Sequence, residues 1–361
     1  MREKITVGLL FGGKSSEHEV SLQSVASILA AIDQTKYNLV LIGITKEGQW
    51  RSDPNFSLGQ LSKILDEGIP VFLASNSEGS GHLIQFDPSS DWVGQKIKID
   101  VCFPVLHGPF GEDGKIQGLF EMANVPYVGA GVLSSAIAID KCMTKTLFQQ
   151  AQLPTVPFIS MFLEEWNQDK KKLEQKIAKT FGYPCFIKPA NLGSSIGISR
   201  VTRSESLSRA LDLAAQFDNK ILIEKAVEAR EIECSVLGNR NPQVSIPGEI
   251  ITNSDFYDYQ SKYLNDNAKL VIPAPLESDK VKQIQDFSKR SFQLIDCRGM
   301  ARVDFFLEKL TNKIYLNEIN TIPGFTPISM YPKLWEASGM PYSRLIDKLI
   351  ELAMEWNYHT K

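Results

Sequence analysis

Apolar runs of strand length alternate with helical patterns along nearly the whole chain. Residues 5–11 (ITVGLLF) are apolar, a polar GGKSSEHEVS follows, and a helical repeat of apolar positions runs from Ser21 to Ile32. A second run, NLVLIGI at 38–44, completes a strand–loop–helix–strand order that predicts a βαβ unit with a parallel sheet. Residues 52–96 offer less: a short helix at 58–66, an apolar VFLA and a Gly/Ser-rich tip, SNSEGSGH, that reads as exposed loop. KIDVCFPVL (98–106) reads as one buried strand, with HGPFGEDG and a helix at 115–124 after it. Helical patterns at 133–139 and 142–151, a PFI strand at 157–159 and a charged amphipathic helix at 169–181 come next. A strand ending at Lys188, the small-residue loop ANLGSSIG (190–197), a helix at 204–217 and strands at 220–227 and 230–238 form a β-loop-β-α-β module. A helix at 278–294 precedes the last strand pair, and helices at 331–337 and 342–356 close the chain.

That last pair lies between Gly299 and Gly324. MARVDFFL and KIYLNEI, rich in Val, Ile, Phe and Tyr, flank a polar TNK turn, the pattern of an antiparallel hairpin. Asp304 interrupts the first strand and Glu318 the second, with Asn320 two residues on. Strand alternation puts Arg302, Asp304 and Phe306 on one face, and Glu318 with Asn320 on one face. Ionised carboxylates in an apolar strand are costly unless paired or bound to a cation. Asp, Glu and Asn oxygens suit Mg²⁺, which keeps waters and completes its shell from phosphates. Pairing with Arg302 and nearby lysines is the other reading, and the hairpin alone does not choose between them.

Composition narrows the class. The 361 residues suffice for two or three domains, and 43% hydrophobic with 22% charged residues is ordinary for a soluble globular chain. A formal net charge of −3 gives no electrostatic case for nucleic acid or an anionic membrane. No apolar run reaches the roughly 18 residues of a membrane span. The basic start MREK leads into a short apolar run and then KSSEHE, a first core strand rather than a signal peptide, so a cytoplasmic location is expected. Cys102, Cys142, Cys185, Cys234 and Cys297 are scattered and never form CxxC; all but Cys142 sit in apolar surroundings, which predicts buried reduced thiols.

Several polar stretches could carry chemistry. Gly8-x4-Gly13-Lys14-Ser15 matches the P-loop expression letter for letter, but a phosphate cradle needs a flexible loop after the strand. Here Leu9 to Gly12 belong to the strand itself, so the match reads as accidental. Glu17 sits at the carboxyl end of the first strand, where open α/β sheets bind ligands; a first-turn Glu favouring the helix dipole is the alternative. His107 stands with two acids and three glycines at another strand end, a place for a site or for a structural cap. Lys188 beside a Gly/Ser loop joins a point charge to backbone donors, an anion-binding arrangement. Residues 242–276 carry NSDFYDYQSKYLNDNAK, whose interleaved aromatics favour a lid over a linker.

Taken together, GGKSSEHEVSL, HGPFGEDGKIQG (107–118), KPANLGSSIG, SKYL and the stretch Ile295 to Gly324 resemble, in order, the ATP-grasp enzymes and within them the D-alanine–D-alanine ligase family. Ala229 departs from that pattern, standing where it has Gly before Arg-Glu-Ile-Glu. The resemblance implies an α/β (α+β) fold in three parts. These are a Rossmann-like parallel-sheet domain at 1–138, a small α+β subdomain at 139–227, and a mixed or antiparallel-sheet subdomain at 228–361 with a lid at 252–268. ATP would lie between the last two. The implied enzyme is cytoplasmic and homodimeric, uses two Mg²⁺ ions (Mn²⁺ being an acceptable substitute), and joins two D-alanines through D-alanyl phosphate for peptidoglycan precursor synthesis.

Residue by residue, the resemblance places Lys141 and Lys188 at the phosphates and Ser195 in the ATP site, with Lys262 reaching the γ-phosphate from the lid. Glu224, Lys225 and Val227, just past a strand, would meet the adenine; Glu231 would hold the ribose, and Phe306 joins the ATP site. Asp304, Glu318 and Asn320 would bind the metal ions. Glu17 would take the first ammonium, completed by Ser194 and Tyr263, and His107, Ser329 and Met330 would contact substrate, the last two at the second alanine. Arg302 and the Gly324 N–H would face the oxyanion, which moves Arg302 away from neutralising the acids. Relatives that make a depsipeptide with D-lactate carry Phe where Tyr263 stands. Tyr263→Phe should therefore gain D-lactate incorporation; an unchanged D-lactate to D-alanine ratio in the products refutes that role.

Overall fold

The computed structural model describes residues 4–53, 60–74, 81–89, 92–252 and 268–359. The first apolar run becomes β1 (Ile5–Gly12), followed by α1 (His18–Ala31) and β2 (Tyr37–Ile44), with β1 and β2 parallel. Both faces of β1 are covered, which is why it reads as continuous rather than alternating. Val7, Leu9 and Phe11 enter one core, and Leu10 enters another with Phe120 and Tyr127.

The expected βαβ unit with parallel strands is present, and antiparallel strands extend the sheet beyond it. After β3 (Trp50–Ser52), α2 (Leu61–Glu67) and β4 (Ile69–Ala74) come β5 (Gly81–Phe86), β6 (Val93–Ile99) and β7 (Val101–Pro104). The order is β6-β5-β4-β3-β2-β1-β7, parallel across β2, β1 and β7 and antiparallel from β2 outward to β6. Burial in β5 alternates residue by residue, the mark of a half-exposed antiparallel strand. The stretch 98–106 is not one strand, because Asp100 breaks it: its N–H donates to the Thr6 carbonyl at 2.9 Å, and its Oδ2 accepts from the Thr6 N–H at 2.9 Å.

Helices α3 (Lys115–Met122), α4 (Val132–Ile139) and α5 (Lys141–Gln150) lead to a second sheet. It comprises β8 (Phe158–Phe162), β9 (Cys185–Pro189), β10 (Ser199–Val201) and β11 (Lys220–Lys225), in the order β10-β9-β11-β8 and antiparallel throughout. Between them lie α6 (Leu163–Gln168), which the apolar pattern did not reveal, α7 (Lys170–Thr180) and α8 (Leu207–Ala215). Asp169 separates α6 from α7 by capping the second, accepting the Lys172 N–H at 3.0 Å. This sheet has its own core, built around Ile159, Ile177, Ile187, Leu211 and Ile223.

The third sheet holds β12 (Ala229–Gly238), β13 (Gln243–Val244), β14 (Gly248–Thr252), β15 (Ala268–Val271), β16 (Gly299–Glu308) and β17 (Ile314–Asn320). Its order is β15-β14-β12-β16-β17, with β13 on β12, and α9 (Ser278–Leu294) packs against it. The antiparallel pairing of β14 with β15 sets the two ends of the expected lid side by side. Lys262 and Tyr263 lie outside the described residues. In the β16–β17 hairpin Arg302 opposes Asn320 and Asp304 opposes Glu318, but Phe305 opposes Leu316. Asn317 is thus an extra residue, a β-bulge beside the two acids.

The chain's last segment returns to its first. Helices α10 (Met330–Ala337) and α11 (Tyr342–His359) place Tyr331, Trp335, Leu345 and Leu349 in one core with Val7, Leu9, Val25 and Phe103. The backbones also touch where Gly299, at φ +71°, crosses Gly129: a Cβ on Gly299 would lie 3.0 Å from the Gly129 Cα. All five cysteines are buried free thiols, Cys142 included. Burial pushes Cys185 and Cys234 up to about 11 and Cys297 up to about 12. Among the described residues no helix is long and apolar enough to cross a membrane. Gly299→Ala should lower the free energy of unfolding by roughly 2 kcal/mol, from left-handed strain plus the Gly129 clash. Gly118→Ala, in α3 with nothing within 4 Å of the added Cβ, should raise it by about 1 kcal/mol. Urea midpoints of the two variants check both signs.

Candidate active site

Three loops converge on Glu17. Beyond β1 the chain turns at Gly12 and Gly13, at φ +86° and +101°, and a Cβ on Gly12 would collide with the Ile44 carbonyl oxygen at 2.3 Å. Glu17 then sits just before α1, 7% exposed, and its side chain makes no cap hydrogen bond to that helix. Its Oε1 accepts the Ser194 hydroxyl at 2.5 Å, and Cβ atoms built on Gly108 and Gly193 would lie 2.7 and 3.3 Å from its Oε2. GGKSSE, HGPFGED and NLGSS therefore meet at one buried carboxylate. Ser194 and Ser195 hold left-handed φ values of +54° and +59°. Such strain costs about 1 kcal/mol or more per residue and is kept where contacts over-determine it, as the bond to Glu17 does here. Lys14, the lysine of the P-loop match, instead lies over the Phe110 ring, 5.5 Å from its centroid.

Both ring nitrogens of His107 face protein atoms. Nδ1 lies 3.1 Å from the Ile322 carbonyl oxygen, and Nε2 lies 3.3 Å from the Ser24 hydroxyl. The Glu112 carboxylate approaches Nδ1 at 3.8 Å. Burial alone would lower the imidazole pKa, but hydrogen bonding and charge from Glu112, joined by the charge of Glu17, outweigh it and raise it.

On the phosphate side, Asp140 caps α5 by accepting the Met143 N–H at 3.0 Å and pairs with Lys220 at 2.6 Å. Lys141 follows, its N–H on the Ala190 carbonyl at 3.0 Å and its Nζ donating to the Leu192 carbonyl. Lys188 on β9 neighbours Glu224 on the antiparallel β11. Glu224 and Lys225 are the last two residues of β11 rather than just past it, and Val227 follows two residues on, which corrects their expected position. The Glu224 carboxylate, 1% exposed, pairs with Lys188 and, at 3.1 Å, with Lys145. Burial would raise its pKa, yet the two lysines bring it down to about 2, while burial lowers that of Lys145. Lys145 escaped the sequence reading. Its signal was the four-residue spacing from Lys141, which puts both on one side of α5.

At the β16–β17 hairpin, the expectation that Arg302 has left the acids is overturned. Its Nε and Nη2 donate to both Asp304 oxygens at 2.8 and 2.7 Å, and Nε lies 3.0 Å from Glu233 Oε2. Register explains Glu233, which stands directly opposite Asp304 on β12. Asn320 donates its amide to Asp304 Oδ2 at 2.9 Å, which directs its amide oxygen elsewhere. Glu318 opposes Asp304 on β17, and Glu231 opposes Phe306 on β12 and β16, so the expected metal and ribose residues share one sheet. Two carboxylates and an amide are hard oxygen donors and fit Mg²⁺. Among the described residues no group of three or more His, Cys, Asp or Glu is placed to hold a metal ion.

Gly324 lies against Ser329, whose Oγ would be 2.7 Å from an added Cβ. Ser329 Oγ accepts the Thr326 N–H at 3.0 Å. The Met330 side chain packs into a core with Ile250 and Leu334, so at a substrate only the backbone of that residue is available.

The Lys145–Glu224–Lys188 triad makes a directional prediction. A carboxyl depressed in the folded state contributes stability above its unfolded pKa, near 4.5, and loses it as pH falls toward about 2. Lys145→Met should move that loss to higher pH, so that the midpoint of acid unfolding, followed by circular dichroism, lies closer to neutrality than in the parent.

Two family models match the chain, the D-ala D-ala ligase N-terminus over residues 6–130 and the D-ala D-ala ligase C-terminus over residues 147–351. The D-alanine–D-alanine ligase of Thermoanaerobacter sp. (strain X514) is 50% identical over 361 residues, 98% of this chain and 97% of that protein. That of Heliobacterium modesticaldum is 45% identical over 351 residues, 97% and 95% of the two chains. Among solved structures, the D-alanine-D-alanine ligase from Coxiella burnetii superposes with a TM-score of 0.84 at 35% identity, covering 99% of this chain and 96% of that one. The VanG D-Ala:D-Ser ligase from Enterococcus faecalis does so with a TM-score of 0.84 at 34% identity, covering 97% and 100%. Loops that meet at Glu17, lysines gathered on Glu224 and acids paired on one hairpin thus occur in a chain that belongs to the D-alanine–D-alanine ligase family.

Proposed function

We propose that the chain joins two D-alanine molecules at the expense of ATP, through D-alanyl phosphate, in the cleft bounded by Glu17, Lys188 and the β16–β17 hairpin. The observation that carries this reading is the Ser194–Glu17 hydrogen bond, which ties the first sheet's ligand loop to the phosphate loop of the second. ATP lies between the second and third sheets, its phosphates met by Lys141, Lys188, Ser195 and, from the lid, Lys262. The Glu224 carboxylate is committed to lysines, so its backbone, with Lys225 and Val227, meets the adenine, and Glu231 beside Phe306 meets the ribose. Two Mg²⁺ ions held by Asp304, Glu318 and Asn320 would supply charge neutralisation at the β- and γ-phosphates.

Glu17 accepts the first ammonium, with Ser194 and Tyr263 completing the pocket. The first carboxylate attacks the γ-phosphorus and ADP leaves; the lysines offset charge as the phosphoryl group moves. The lid keeps water from the acyl phosphate. The second amine attacks the acyl carbon, phosphate departs, and the passing oxyanion is met by Arg302 and the Gly324 N–H. Asp304 and Glu233 fix the plane of the Arg302 guanidinium for that task. Ser329 and the backbone of Met330, at the start of α10, receive the second carboxylate. A cytoplasmic homodimer completes the proposal; exposed Leu119, Met122 and Leu133 on the neighbouring helices α3 and α4 are apolar surface it would cover.

A competing reading puts D-serine in the second position, because the likeness to a D-Ala:D-Ser ligase is as close in TM-score as that to a D-alanine-D-alanine ligase. Phosphate release with Mg-ATP should be seen with D-alanine alone and not with L-alanine, and mass analysis should find the D-alanine dipeptide. A mixed D-alanyl-D-serine product that dominates at equal concentrations would overturn the D-alanine assignment.

A further inference from the structure

Gly324 follows Pro323, whose ring fixes its own φ, and precedes Phe325, whose side chain is fully buried. Glycine is the one residue of this turn with wide rotational freedom. A donor to an oxyanion must hold its direction, since the acceptor position lies only 2.7–3.1 Å or so away. Bulk cannot supply the stiffness at this position, because a Cβ would meet Ser329 Oγ at 2.7 Å. Rigidity therefore has to come from the residues on either side.

Those residues are held from outside the hairpin. The Ile322 carbonyl faces His107 Nδ1 at 3.1 Å, the Phe325 N–H donates to Ser24 Oγ at 3.2 Å, and the Phe325 carbonyl accepts the Tyr342 hydroxyl at 3.0 Å. The Phe325 ring packs 6.1 Å from Phe103, 5.6 Å from Tyr331 and 6.3 Å from Tyr342, centroid to centroid. The Ile322 carbonyl only accepts, so Nδ1 carries a proton, and Nε2 lies 3.3 Å from the Ser24 hydroxyl that receives the Phe325 N–H. Ser24 and His107 come from the first sheet's α1 and the loop after β7, and Tyr342 from α11.

We propose that Ser24 and His107, with Tyr342 on the far side, are positioning residues that aim the Gly324 N–H at the oxyanion of the second half-reaction. The proposal rests on the reading of Gly324 as an oxyanion donor. His107 acts here through the loop and not on substrate, because both of its nitrogens are committed to Ile322 and Ser24. Ser24 gains a task that helical burial alone would not give it.

The test uses the full-length enzyme with Ser24→Ala and Tyr342→Phe, singly and together. Three readouts are needed: dipeptide formation per folded molecule, positional isotope exchange in ATP as a measure of the first half-reaction, and amide hydrogen exchange of the peptide spanning Ile322 to Phe325. Ser24→Ala should slow dipeptide formation roughly tenfold, leave isotope exchange and the KM for ATP within about twofold, and speed amide exchange in that peptide. Tyr342→Phe should act in the same direction more weakly, and the pair should fall short of the product of the singles. Unchanged amide exchange in both variants overturns the clamp. Faster exchange with unaltered dipeptide formation overturns the Gly324 reading and with it this role. Equal slowing of both half-reactions also overturns it, since an oxyanion donor acts only in the second. Should Ser24→Ala fail to fold, Tyr342→Phe, which removes one hydroxyl, decides the question alone.

Discussion

A charge taken out of water must find a partner, and in this chain that requirement draws distant segments to the same place. The Glu224 carboxylate is buried between Lys145 of a helix and Lys188 of a neighbouring strand; without both lysines its charge would be stranded in a low-dielectric interior. Arg302 lies between Asp304 on its own strand and Glu233 on the next. Glu17 accepts a serine hydroxyl from a loop 177 residues away. The polar centre is thus a set of ion pairs and hydrogen bonds surrounded by apolar cores.

The packing beneath these pairs explains their stiffness. The second sheet has a separate hydrophobic core, while the last helices return to complete the core of the first sheet. The hairpin with the acids and the loop with Gly324 are consequently anchored to the amino-terminal sheet, although they lie nearly 300 residues later in the chain. The crossing of Gly129 and Gly299 is a further point of attachment. No cut near residue 138 separates the cores cleanly, because Phe325, Tyr331 and Leu345 share theirs with Val7 and Phe103.

Much of this was legible in the chain, and the remainder was hidden for identifiable reasons. Helix α9 and the hairpin followed directly from periodicity, since their apolar faces are long and continuous. The outer half of the first sheet did not: its strands are short, half exposed and interrupted by turns, so alternation in GHLIQF was lost beside a Gly/Ser tip. The hairpin's acids announced themselves as costly, but the sequence left open what accompanied them. The pairing is what the structure contains, since Arg302 holds both Asp304 oxygens. Glu233 could not be found without the β12–β16 register, nor the Asn317 bulge without the ladder itself. Alternation counted from Tyr315 would have put Glu318 on the wrong face. Ser24 lay in plain view on the inner side of α1, but its importance depends on Phe325, some 300 residues away.

The five buried thiols have a use that their inertness hides. Burial holds every one above the ordinary cysteine range, so a thiol reagent meets little thiolate while the chain stays folded. Labelling then times the opening of the native state. Because nucleotide and amino acid bind only the folded form, each slows that clock by an amount set by its own occupancy. The cysteines thereby turn the whole chain into a gauge of ligand binding that needs no turnover to be read.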